Sequence, residues 1–417
     1  MAEKDKTKVK ESVYCDFCGK SRDEVKKMIV GNEVAICNEC VDLCSNILNK
    51  ELEIDIEKKA EAGLDRYNPM LIAQYLNEHV IGQEDAKMSI SVAVSNHYKR
   101  IFRPSKDVKI DKSNILMVGP TGSGKTLIAK TIAEYLDVPF TIADATTLTE
   151  SGYVGDDVES IVSRLLQVCD FDVEKAEQGI IFLDEIDKIS RKSENTSITR
   201  DVSGEGVQQA LLKVIEGSKL RVPPTGGRKH PAAEFIEVDT TNILFICGGA
   251  FVGIEQVAKN RMSGTSIGFM SGIGQKADDM TFEPDDFVKF GLIPELIGRF
   301  GHITYCKELT EKNIVDIITK TKNNIIKQYQ YLFSLDKVKL EITTAGVAAI
   351  AKKSVQMKTG ARSVRTILEK LLVPYQYDIT NSVKNGLDKL VIDKATNDAT
   401  IEAKLIYKQA KKTNGVS

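Results

Sequence analysis

"GPTGSGKT", residues 119–126, is the stretch that most restricts what this chain can fold into. It fits the pattern G-x-x-x-x-G-K-[ST]; the apolar run "NILMVG" (114–119) precedes it and a helix-forming segment follows it. Strand, glycine loop and helix in that order turn a row of backbone N–H groups toward one point, and the helix N-terminus adds its positive end. Such a point holds phosphate. The candidate set is Gly119, Pro120, Thr121, Gly122, Ser123, Gly124, Lys125, Thr126 and Leu127. The N–H groups of Gly122 to Thr126 are expected to hold the phosphates. Lys125 would reach the β and γ oxygens, and the Thr126 hydroxyl would ligate Mg²⁺. A chance glycine loop is the plain alternative, and the flanking strand and helix argue against it.

"IIFLDEID" (180–187) supplies what a phosphate loop needs for hydrolysis. Four apolar residues bury a strand whose end presents Asp184 and Glu185. Asp184 is expected to hold Mg²⁺, through water, and Glu185 to polarise the attacking water as general base. Paired acids after a strand can also cap a helix, but alongside a phosphate loop they imply an ATPase. "TNILFICGG" (241–249) is a third short apolar run ending in glycine. Runs of this kind separated by helical stretches predict an α/β fold, a parallel sheet with helices on its faces. After about residue 303 the pattern becomes mostly helical: "EKNIVDIITKTKNNIIKQYQYLF" reads as one long amphipathic helix, followed by a strand-like "KVKLEIT".

Charge and composition exclude several function classes. Formal net charge is -2, so no global field draws the chain to nucleic acid or to an anionic membrane. The polar start "MAEKDKTKVKESVY" lacks the apolar core of a secretory signal, and no apolar run approaches the ~20 residues of a membrane span. Four of the eight cysteines (Cys44, Cys169, Cys247, Cys306) are scattered, which suits a reducing cytosol.

The other four form two C-x-x-C pairs, Cys15/Cys18 and Cys37/Cys40, separated by eighteen residues. Two such knuckles complete a tetrahedral S4 site, which suits one structural Zn²⁺ per subunit. A catalytic zinc would need an open position, and a redox role would need a thioredoxin-like βαβ around a pair. Residues 1–50 carry nine Lys+Arg and nine Asp+Glu, so the phosphate-binding component of a nucleic-acid finger is missing. Apolar residues such as Ile29, Val30, Val34 and Leu43 exceed what so small a core needs, which favours a module that binds protein or dimerises.

"SGYVGDD" (151–157) brackets Tyr153 and Val154 with Gly152 and Gly155, poor material for either a strand or a helix. It reads as a loop that holds an apolar tip out of any core. Arg299, in "IPELIGRF", and Arg362, in "TGARSVR", complete the candidate catalytic set with Glu185. Either arginine alone is more often a surface ion pair; their weight comes from the motifs around them.

Strand–loop–helix, "LDEID", "IGR" and "GAR" resemble the AAA+ ATPases, and the four-cysteine module with "GYVG", "GGRKHP" and "SIGF" resembles the unfoldase subunits of the Clp proteases. The likeness runs from about residue 13 to about residue 400. It implies a homohexamer with ATP at the interfaces, Val80 and Ile81 beside the nucleotide, and Arg299 reaching the neighbouring subunit's γ-phosphate. Arg362 would touch the same phosphates from its own chain. Gly152, Tyr153, Val154 and Gly155 would grip polypeptide substrates in an axial pore, and Arg228, Lys229 and His230 would ring its entrance. Ile267, Gly268 and Phe269 would dock on a ClpP-type peptidase, and adaptor proteins would bring substrates. The sequence departs from the family pattern at Ser363-Val364, usually Gly-Leu, and at Pro374, expected to interrupt a helix. "FICGG" offers no Asn or Thr as a sensor-one residue.

The expected organisation is a disordered tail (1–12), a zinc module (13–50), a linker (51–65), a large AAA+ α/β domain (66–303), a small, mostly helical domain (304–405) and a second disordered tail (406–417). Two other readings compete with the unfoldase: a DNA-handling enzyme, opposed by the balanced charge, and a zinc scaffold with a degenerate ATPase, opposed by intact Lys125, Asp184 and Glu185.

Overall fold

The computed structural model describes residues 13–32, 34–45, 65–105, 107–149, 156–191, 204–223, 235–264, 282–357, 359–395 and 401–407. Three expected loop sites, 152–155, 228–230 and 267–269, lie outside the described residues, as do both expected tails apart from 406–407. The chain divides into two compact units, Met1–Asp65 and Arg66–Ser417.

The larger unit is built on five parallel strands: β1 (Asn114–Val118), β2 (Phe140–Asp144), β3 (Ile180–Asp184), β4 (Leu244–Gly249) and β5 (Phe300–Tyr305). Their order across the sheet is β5-β1-β4-β3-β2. The runs Ile115–Val118, Ile180–Leu183 and Leu244–Cys247 are buried throughout, as helices on both faces require. The helix Lys125–Leu136 lays Ile128, Ala129, Ile132, Ala133 and Leu136 on the sheet. Because the strands are parallel and β4 lies between β1 and β3, the loops after all three emerge at one edge. β5 spans the expected domain boundary at 303–304, so residues 304 and 305 belong to the large sheet.

The rest of this unit corrects the sequence reading in three places. The expected long helix is two, Glu311–Thr319 and Ile325–Leu335. Asn324 makes the break: its Oδ1 accepts the Lys327 N–H at 2.9 Å, and its Nδ2 donates to the carbonyls of Thr319 and Thr321. Asparagine side chains favour such a cap over a helix interior. A three-stranded sheet, β6 (Lys339–Ile342), β7 (Leu387–Lys394) and β8 (Ile401–Tyr407), supports the helices, so Ile406 and Tyr407 are strand rather than tail. Pro374 lies inside the helix Arg362–Tyr377 and does not end it. Leu372, two residues before it, is buried and Tyr375 packs on the same core, so tertiary contacts hold the helix across the lost N–H. Ser363 and Val364 fit the same region: both are buried, and the Ser363 hydroxyl bonds to Ser354 Oγ at 2.6 Å and donates to Gly360 O at 2.7 Å.

In the smaller unit two short antiparallel strands, Met28–Val30 and Ala35–Cys37, set Met28 opposite Cys37. Its core is Cys15, Cys37 and Cys40 with Val25, Met28 and Ile36 against them. So thin a core cannot fold a chain alone and calls for a metal.

Candidate nucleotide site and zinc cluster

The glycine loop meets the acidic strand through the helix it opens. Thr126 Oγ1 donates to Asp184 Oδ2 at 3.2 Å, and Asp184 Oδ1 accepts the Glu185 N–H at 3.0 Å. Lys125 lies folded onto its own loop, with Nζ donating to Gly119 O at 2.6 Å and Pro120 O at 3.1 Å. Burial lowers the Lys125 pKa, and the carboxylates of Asp184 and Asp187 counter part of that fall. Glu185 is exposed and has φ +58°, a left-handed conformation that costs a non-glycine residue about 1–3 kcal/mol and collects at functional sites.

Two clefts meet here. One, of 560 Å³, is lined by Lys125, Thr126, Asp184, Glu185, Asp187 and Arg362, among others. The second, of 420 Å³, is walled by Val80, Ile81, Leu309, Ile317, Ile325 and Val364, among others, and is the more apolar. Gly122, Gly124, Leu127 and Ala361 border both. The first has the chemistry for phosphates and a cation; the second has the walls for a flat base. Arg362 reaches the first cleft because the turn at Thr359–Gly360 packs directly on Gly122: a Cβ on Gly360 would stand 2.6 Å from Gly122 O, and one on Gly122 would strike Thr359 O. Both glycines have positive φ.

Arg299 is not among the residues that line either cleft. Its guanidinium pairs with Glu216, and its carbonyl accepts from the Asn114 side chain at 3.2 Å.

Two residues at the site carried no signal in the sequence reading. Gln83, buried and at φ +63°, donates from Nε2 to Ser123 O and Lys307 O and accepts the Lys307 N–H, tying the loop to the end of β5. Asp187 is buried and accepts the Ala250 N–H at 3.1 Å. At the sensor-one position the end of β4 has no room for a side chain: a Cβ on Gly248 would stand 2.7 Å from the Phe182 ring, and one on Gly249 would strike the Phe251 ring.

In the smaller unit the four sulfurs of Cys15, Cys18, Cys37 and Cys40 lie within 4.8 Å of one another, with Cys18 Sγ and Cys37 Sγ at 3.6 Å. N–H groups of Cys37 and Cys40 point at Cys15 Sγ and Cys37 Sγ. Burial disfavours the Cys15 thiolate, yet hydrogen bonds from the backbone of Cys18, Cys37 and Phe17 outweigh it and lower its pKa to about 6. Cys40 is pushed up by its contact with Cys18. Four thiolates this close need a cation among them, and the all-sulfur set suits zinc.

Comparison with known proteins agrees with this geometry. Residues 13–50 match the ClpX C4-type zinc finger, 110–303 the AAA domain (Cdc48 subfamily), and 309–378 the C-terminal D2-small domain of ClpB protein. The chain is 50% identical over 396 residues to the ATP-dependent Clp protease ATP-binding subunit ClpX of Treponema denticola, covering 92% of this chain and 93% of that one. To the ClpX subunit of Borrelia duttonii it is 48% identical over 388 residues, covering 91% and 90%. An AAA+ ATPase with a C4 zinc finger, the chain belongs to the ClpX family of ATP-dependent Clp protease ATP-binding subunits.

Proposed function

We propose that this chain is an ATP-driven protein unfoldase and translocase that works as a homohexamer and threads tagged substrates into a ClpP-type peptidase. The observation that carries the proposal is the two-lobed cleft, where the glycine loop, both acids and Arg362 converge across the contact of Gly122 with Gly360. Thr126 and Asp184, already hydrogen-bonded, would hold Mg²⁺. The ion would neutralise charge on the β and γ phosphates. Lys125 would swing from its loop carbonyls to the phosphate, and Glu185 would take the proton of the attacking water. Val80 and Ile81 would face the base. Arg299, held by Glu216 away from its own cleft, would serve the nucleotide of the next subunit, which favours a ring.

Tyr153 and Val154, between Gly152 and Gly155, would drag the substrate chain, because an apolar tip grips by area and reads no sequence. Arg228, Lys229 and His230 would attract acidic groups and α-carboxylates at the pore mouth, and Ile267, Gly268 and Phe269 would anchor the peptidase. The printed name of the relatives, a Clp protease subunit, supports that partner. Tyr14, Phe17, Ile29, Val30, Val34 and Leu43 are exposed on the zinc module, which supports dimerisation and capture of substrates or adaptors. Without the peptidase the same motor would act as a chaperone. No described helix is long and apolar enough to cross a membrane, and a cytoplasmic setting fits the reduced cysteines.

The test is loss of fluorescence from a stably folded, C-terminally tagged reporter, with ATP and with or without peptidase. Tyr153→Ala should keep hydrolysing ATP while consuming more of it per folded reporter. An unchanged ratio would remove the pore role, and ATP-independent loss of signal would remove the motor.

A further inference from the structure

The peptide group between Gly249 and Ala250 is held from both sides. Its carbonyl accepts the N–H of Gly119, the first residue of the glycine loop, at 3.1 Å. Its N–H donates to Asp187 Oδ1 at 3.1 Å. Asp187 belongs to the short 3-10 turn Ile186–Ile189 that begins right after Glu185, and the Lys188 N–H returns to Glu185 O at 2.9 Å. The turn is fastened further on, where Ser190 Oγ donates to Asp187 O and Gln208 Nε2 donates to Ile189 O. Asp187 is therefore the one side chain of this turn bonded to the end of β4 among the described residues.

That fastening matters because Glu185 stands in a left-handed conformation with an exposed side chain. A strained residue keeps its pose only while its surroundings dictate it. No side chain at the end of β4 can do so, since the rings of Phe182 and Phe251 fill the space beside Gly248 and Gly249. Asp187 Oδ1 occupies what is left, 3.0 Å from where a Cβ of Gly249 would stand.

We propose that Asp187 is the positioning residue for Glu185: by accepting the Ala250 N–H it pins the turn carrying the general base to the same peptide group that the glycine loop holds through Gly119. This rests on the reading of Glu185 as the base. In this role Asp187 acts through its acceptor Oδ1; its other oxygen lies 3.7 Å from Lys188 Nζ, and its charge also bears on Lys125. Asparagine keeps an acceptor oxygen at the same place, whereas alanine keeps none.

The experiment compares Glu185→Gln, Asp187→Ala and Asp187→Asn in the full chain, measuring the kcat of ATP hydrolysis and, separately, affinity for a fluorescent ATP analogue. Misplacing a base by a fraction of its reach costs on the order of tenfold or more in kcat, so Asp187→Ala should lose at least about tenfold while nucleotide affinity changes less than about threefold. Asp187→Asn should recover to within about threefold of the unaltered chain. If Asp187→Ala does not bind nucleotide, Asp187→Val, which keeps the branch and the volume without the acceptor, replaces it under the same criteria. Full kcat in the acceptor-less variant, or an Asp187→Asn variant as slow as Asp187→Ala, overturns the proposal. An active Glu185→Gln variant would instead overturn the assignment of the base, and the two failures are told apart.

Discussion

Thr126 Oγ1 and Asp184 Oδ2 stand 3.2 Å apart, one at the start of a helix and the other at the end of a strand two places away in the sheet. The hydrogen bond sets side by side the two oxygens proposed to serve a hard divalent cation, Thr126 directly and Asp184 through water. Asp184 also keeps the N–H of Glu185 on its other oxygen. On the proposed reading, the acid that would hold the cation is thereby set apart from the acid that would take the proton.

Glu185→Gln should retain nucleotide and lose turnover. The amide fills the same volume and leaves the glycine loop untouched, but it takes no proton from water. Loss of a positioned base is worth about 10²–10⁴ in rate. Equilibrium binding of labelled ATP beside phosphate release reads both quantities, and a parallel loss of affinity would contradict the assigned role.

Gly360→Ala should weaken ATP binding by about tenfold or more, because a methyl group there meets Gly122 O at 2.6 Å and must drive the Arg362 turn off the loop. Gly386→Ala is the control. Its φ is +87° but nothing lies within 4 Å of the new carbon, so it should lower stability by about 1 kcal/mol and leave ATP affinity alone. Isothermal titration and thermal unfolding of both variants separate the steric effect from the conformational one.

Cys37→Ser should release the zinc and unfold its module. Cys37 is fully buried and takes part in the strand pair, so both the metal and the core lose a member. Metal binding supplies about 10–16 kcal/mol in such sites. Zinc content by a chromogenic chelator should fall from one per chain to none. The basal ATPase rate should stay within about twofold, since the proposed catalytic groups all belong to the other unit.

Lys112→Met should flatten the dependence of stability on pH above neutrality. Lys112 donates to Thr240 O at 2.8 Å and lies over the Phe245 ring, and burial pushes its pKa from 10.5 down to about 7. Between those values the unfolded chain binds the proton and the folded chain does not, so this group adds stability as pH rises from about 7 toward 10.5. Below about 7 both forms are protonated and the cost of burying the charge is complete. Denaturant melts at pH 7 and at pH 9.5 should differ in the unaltered chain, and a difference just as large in the methionine variant would rule out Lys112 as its source.

Buried strands between helices announce themselves, which is why β1, β3 and β4 were legible as unbroken apolar runs. β2, at the sheet edge, reads "FTIAD" with Ile142 exposed, and β5, at the other edge, reads "FGHITY"; neither has a continuous run to detect. The break at Asn324 hid inside a sound helical period, because a cap depends on what its side chain bonds rather than on apolar spacing. The glycine loop, both acids and the four cysteines were legible because their chemistry demands short, local patterns. Asp187 and Ala250 are 63 residues apart and Gln83 and Lys307 are 224 apart, so no local pattern could pair them.

The apolar cleft has one wall from the segment His79–Ile81 and the glycine loop and another from Leu309, Ile317, Ile325 and Val364, beyond β5. A base lodged there would be enclosed by two parts of the chain joined near Cys306 and Lys307. If those parts shifted relative to each other, the base would lose one wall and keep the other. The exchange of ADP for ATP would then depend on their relative placement as well as on the phosphate contacts.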